Sequence, residues 1–135
     1  MFEDVLRQEF GWAEGGEVPR QETRAYADVF AGASRASASL LEGLVVLWAT
    51  EKCYLEAWKY AKAQSGDRAR EDGEEDVLQK TLIPNWTSEE FETFVDTIGD
   101  LVNELGEDAA QGEWTKAEEA WRQVLWAEER FWPEV

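Results

Sequence analysis

Two glutamates occupy positions where a helix would carry apolar side chains. Glu51 interrupts the run Leu44, Leu47, Trp48, Tyr54, Leu55, Trp58, and Glu128 interrupts the run Trp121, Leu125, Phe131, Trp132. Both runs step by three and four residues, the spacing of one helix face. A carboxylate turned into an aromatic wall loses hydration, and its pKa rises. Two such groups facing one cavity would form a general acid–base pair. The plainer alternative is that each glutamate lies at the edge of its stripe with its head in water, and that the two are unrelated.

Little else in the chain points to chemistry. It contains no histidine. That excludes a Ser-His-Asp triad, a Cys-His pair, a His-ligated haem and the usual His-containing zinc or di-iron sites. There is no CxxC, no glycine-rich phosphate loop, and neither a metal nor a cofactor is expected. The single cysteine, Cys53, cannot form an internal disulfide, which fits a reducing, cytoplasmic location. A free cysteine of this kind is usually inert packing. Trp48, Trp58, Trp121 and Trp126 fall at helical spacing and read as core.

Composition narrows the partners. The chain has 135 residues, 44% hydrophobic, with eight tryptophans, enough for one packed domain. Thirty acids against 13 bases leave a formal net charge of −17. Such a surface repels phosphate backbones and anionic lipids, so neither nucleic acid nor a membrane surface is an expected partner. The start, MFEDVLRQEF, lacks the basic and apolar regions of a signal peptide.

The glutamates must be positioned by helices. A first helix is expected over about Phe2–Ala13, broken by Gly15 and Gly16. A second, opened by Pro19, runs through Thr23, Tyr26, Phe30 and Ala33 and weakens over Ser34–Ser39, where small residues suit a turn or a close helix contact. A long helix over about Leu40–Gln64 is apolar on more than one side and should be central and buried. An acidic linker, 65–76, separates it from a short turn at Val77–Leu82, which Pro84 limits. Thr87 with Glu90 reads as a capping box for a helix whose inner face carries Phe91, Phe94, Val95, Ile98, Leu101, Val102 and Leu105. Gly106 ends it, and a last helix spans about Gly112–Trp132. No strand pattern and no repeat interrupts this series. The expected fold class is all-α, with five or six helices.

Three segments resemble one family. LWATEKCYLEAW, Leu47–Trp58, resembles the central helix of the TenA (thiaminase II) family, in the subclass whose helix reads W-A-x-E-x-x-Y. Trp86 followed by Phe91 resembles its W-x4-F pattern, and KAEEAWRQVLWAEERFW, Lys116–Trp132, resembles its last helix, which ends E-x-x-F-W. The resemblance covers roughly Tyr26 to the C-terminus. It implies a haem-oxygenase-like helical bundle and hydrolysis of aminomethyl-pyrimidines in thiamin salvage. Glu128 would correspond to the acid that handles the amino-pyrimidine and its proton transfers. Classical members place a nucleophilic cysteine six residues before Glu51, where this chain has Val45. The resemblance therefore implies the subclass without that cysteine, with Glu51 in its place. Tyr26 would correspond to a substrate-stacking tyrosine, and Tyr54, Trp86 and Phe131 to further substrate-binding positions.

Family members are half again as long or more. Their additional N-terminal helices supply an aspartate and aromatic residues to the pyrimidine pocket. The expectation is thus a single domain, 1–135, lacking those helices, with uncovered faces that homo-oligomerisation or a partner chain would bury. A non-catalytic, degenerate TenA-like module that binds a partner helix or small ligand is the alternative. A tailoring enzyme for another small molecule is also compatible with the fold.

Overall fold

The computed structural model describes residues 18–65 and 77–132. The helix expected over Phe2–Ala13 and the acidic linker beyond Ser65 lie outside those residues. Within them the chain is all-α: α1 (Gln21–Ala33), α2 (Leu40–Ser65), a π-helical turn (Leu78–Leu82) running into the single turn α3 (Ile83–Trp86), α4 (Glu89–Glu107) and α5 (Gln111–Phe131).

The long helix is central, as its two-sided apolar pattern requires. α2 packs against every other helix. One side meets α4 and α5 through Leu41, Val45, Val102 and Ala117. The other meets α5 through Val46, Ala49, Ala120 and Val124. Ala117, Ala120 and Ala127 are small core-facing residues of α5, with Val124 fully buried among them. This is where most of the apolar area leaves water, at about 25 cal/mol per Å².

Local chemistry sets the helix ends, in places differently from the sequence pattern. Ser34–Ser39 is a turn, with Ser34 donating to the Phe30 carbonyl at 2.8 Å. Ser39 Oγ accepts the Glu42 N–H at 3.1 Å and so caps the start of α2. Ser88, rather than Thr87, caps α4: its hydroxyl accepts the Phe91 N–H at 3.2 Å. Thr87 instead closes the turn before it, donating to the Ile83 carbonyl at 2.7 Å. Pro84 does not stop the preceding turn. It sits in the first turn of α3, where a missing N–H breaks no helical bond. At α5 the Glu113 carboxylate reaches back to the Ala110 N–H at 3.1 Å.

Two tryptophans read as core are not core. Trp121 is 38% exposed and Trp126 is 51% exposed. Trp126 stands on the outer side of α5 under the Arg130 guanidinium, 4.5 Å from its ring centre. On α4, Phe94, Leu101 and Leu105 are also exposed, because only the narrower stripe Val95, Ile98 and Val102 meets α2. Helical spacing defines an apolar face but not how much of it a neighbour covers. No described helix is long and apolar enough to cross a membrane.

Candidate functional site

The two glutamates line one cavity. It measures about 460 Å³ and lies among α1, α2, α3 and α5. Glu51, Tyr54 and Glu128 line it, as do Tyr26, Trp86 and Phe131. All six residues singled out from the sequence therefore surround the same space, although they come from four separate elements.

Glu128 is 6% exposed and Tyr26 is 8% exposed. The Tyr26 hydroxyl donates to Glu128 Oε1. The Trp132 indole N–H donates to Oε2 at 2.8 Å. Both oxygens are thus anchored by neutral donors, and a carboxylate retains lone pairs on each for a further partner. Arg20 ties the entrance of α1 to the end of α5 by donating to the Phe131 carbonyl at 3.2 Å.

Glu51 is half-buried on the facing wall, and that burial pushes its carboxyl above the usual carboxylate range. Burial raises the Tyr26 hydroxyl most, and the hydrogen bond to Glu128 raises it further, so it stays a protonated donor. Tyr54 is raised by burial first and then by the charges of Glu128 and Glu51. Both glutamates therefore act on the same two tyrosines.

The aromatic wall is built around Tyr54. Its ring meets Trp86 edge-on at 5.3 Å and lies tilted against Trp132 at 5.3 Å. Trp86 is braced by Phe91 at 5.1 Å. The π-helical turn and α3 deliver Trp86 to this place; such turns recur beside functional sites. Opposite, Tyr26 stacks on Phe30 at 5.2 Å and meets Phe131 edge-on at 5.4 Å. Aromatic side chains lining a cavity with a few polar groups suit a flat, partly polar ring.

Trp132 is the residue that the sequence reading left out of the site. It was legible as the position four after Glu128, one helical turn further along the same face. Thr50 also lines the cavity, but its hydroxyl donates to the Leu47 carbonyl at 2.8 Å. Cys53 is half-buried, and burial, then the charge of Glu128, pushes its thiol up to about 11. It is a thiol at neutral pH and a poor nucleophile. Val45 does not line this cavity; it faces the α4–α5 side. Among the described residues no group of three or more Cys, Asp or Glu is placed to hold a metal ion.

Known proteins share this arrangement of helices. The crystal structure of a TenA homologue from Pyrococcus furiosus superposes with a TM-score of 0.80 at 29% identity, covering 96% of this chain and 58% of that one. A protein described as a probable transcription factor from Fusarium pseudograminearum is 30% identical over 167 residues, covering 99% of this chain. The chain spans 33% of that protein's length. The pattern of the TENA/THI-4/PQQC family matches residues 14–135. With that match, and with the fold of a TenA homologue, the chain belongs to the TENA/THI-4/PQQC family.

Proposed function

We propose that this domain is a TenA-like hydrolase acting on a small aminopyrimidine through Glu51 and Glu128. The observation that carries the proposal is the one cavity that both carboxylates and five aromatic rings line. The pyrimidine ring would lie between the Tyr26–Phe131 wall and the Tyr54–Trp86 wall. Glu128, held at both oxygens, would accept the ring's amino protons and serve the leaving group. Glu51, with raised proton affinity, would take a proton from water. Water then forms a C–O bond at the exocyclic carbon as the C–N bond breaks. The substrate's aminomethyl group enters as an ammonium; the Glu128 carboxylate holds the proton it shares with that group and delivers it to the departing nitrogen, which leaves as ammonia. Glu51 then gives up the proton taken from water to solvent, and both carboxylates are restored. No cofactor is required by this scheme.

The test is ammonia release from 5-aminomethyl-pyrimidines by the wild type, Glu51→Gln and Glu128→Gln. Loss of turnover in both variants, with ligand-dependent tryptophan fluorescence retained in at least one, is the expected result. Unchanged turnover in either variant would remove that glutamate from the mechanism.

A second reading is a non-catalytic TenA-like binding module. It is favoured by the relative described as a probable transcription factor, three times longer than the region this chain matches. It predicts ligand-dependent fluorescence without ammonia release from any aminopyrimidine.

A further inference from the structure

A second concave site lies away from the glutamate cavity. α2 and α4 run antiparallel, with Lys59 paired to Glu92 at 2.5 Å and Trp48 beside Gly99. α2 and α5 run parallel, Val45 meeting Ala117 and Ala49 meeting the Ala120–Val124 turn. α4 and α5 therefore both lie on α2, yet they hardly touch each other beyond their short link. The space between them is a groove of about 500 Å³. Val45 and Trp48 form its floor, and Val102, Trp114, Ala117 and Trp121 its sides.

The tryptophans are held so that they flank the groove. Trp114 donates its indole N–H to the Gly106 carbonyl at 3.0 Å, and its ring lies where a side chain at Gly106 would stand. Trp48 packs on Gly99, where an added Cβ would come 3.0 Å from Nε1. The lining follows α5 from Gln111 to Trp121, about 15 Å, or roughly three turns of a helix.

The α4 edge of the groove is acidic. α4 contains no Lys or Arg, and its exposed Asp100 and Glu107 follow the same edge as Gly99 and Asn103. On the α5 edge Glu118 lines the groove, with Arg122 tied to it at 2.7 Å. An apolar floor beside the acidic α4 edge, with the α5 edge balanced by the Glu118–Arg122 pair, complements an amphipathic helix with a basic flank. A second copy of this chain brings a formal charge of −17 to the same place. The chain's own residues 1–17 set Glu3, Asp4, Glu9, Glu14 and Glu17 against Arg7 alone.

We propose that the α4–α5 groove docks a basic amphipathic helix of a partner protein. Leu-, Ile- or Phe-type side chains at i, i+3 or i+4, and i+7 would fill the tryptophan-lined space. Lys or Arg on the flank facing α4 would meet Asp100 and Glu107.

The probe is a labelled 18-residue peptide with leucine at helical spacing and lysine elsewhere. Its binding to the full chain is read by fluorescence anisotropy at 0.15 M salt. A peptide of the same composition with the leucine stripe scrambled, and one with glutamate for lysine, serve as comparisons. The amphipathic basic peptide should bind at least tenfold more tightly than either. Asn103→Arg, at an exposed lining position, and Trp121→Ala should each weaken it about tenfold, with helical circular dichroism unchanged. Equal binding of the scrambled peptide would reduce the effect to bulk charge and overturn the proposal. So would wild-type affinity in both variants. Self-association relieved by Asn103→Arg would assign the groove to a second copy. Absence of binding, whether the groove stays empty or the chain's own residues fill it, would overturn the proposal as well.

Discussion

Replacing Tyr26 by phenylalanine isolates the contact that fixes Glu128. Phenylalanine keeps the stack on Phe30 at 5.2 Å and the edge contact with Phe131 at 5.4 Å. Only the hydroxyl is lost, and with it the donor to Glu128 Oε1. The carboxylate is 6% exposed, so an oxygen deprived of its donor is poorly rehydrated. A hydrogen bond to a charged group contributes about 1.5–3 kcal/mol. In a domain of this size 1 kcal/mol moves the melting temperature by about 3–5 °C. Tyr26→Phe should therefore lower Tm by about 5–15 °C, read by circular dichroism at pH 7. In a Glu128→Gln background the lost bond is a neutral one, and the same substitution should cost about 1 kcal/mol less. A melting temperature within 1 °C of wild type, together with strict additivity in the double variant, would refute the reasoning. It would mean that water entering through the cavity replaces the tyrosine at no cost.

Three further outcomes are expected. Trp132→Phe keeps the ring against Tyr54 but removes the donor to Oε2; with Trp132 half-buried, water partly replaces it, and urea unfolding should show a loss of about 0.5–1.5 kcal/mol. Glu51 has a raised folded-state pKa from burial, so the stability it contributes is fully present below the ordinary carboxylate pKa and lost as pH rises through the raised value. Glu51→Gln should therefore melt above wild type at pH 7, with the gap closing as pH falls through that window; a constant gap in calorimetry would contradict it. Cys53, with its thiol pushed up to about 11, should react with a disulfide reagent at pH 8 at least about fiftyfold more slowly than the unfolded chain, and Glu128→Gln should speed the reaction. Equal rates in folded and unfolded protein would rule this out.

The helices were legible because each signal is local. The two-sided apolar pattern of Leu40–Ser65 could only suit a central helix, and it is one. Ser88 and Thr87 show the limit of such signals: both can cap, and the choice falls to Ser88 because its backbone is extended just ahead of the first helical turn, although its hydroxyl, like that of Thr87, also donates into the preceding turn. The roles of Trp121 and Trp126 were not legible, since periodicity marks a face without saying what covers it.

For the cavity, residue type and spacing alone singled out Glu51 and Glu128 as charges on apolar stripes, and family resemblance added Tyr26, Tyr54, Trp86 and Phe131. What only tertiary structure decided is that these six, from four elements, meet around one space. It also decided that Glu128 is anchored at both oxygens while Glu51 is left with raised proton affinity. Helical periodicity is a property of a few consecutive residues, so the sequence carries it directly. Tyr26 and Glu128 lie 102 positions apart, and their pairing arises only when α1 and α5 pack beside α2. The open groove between α4 and α5 arises in the same way, from where two helices part on a third rather than from any run of residues in either.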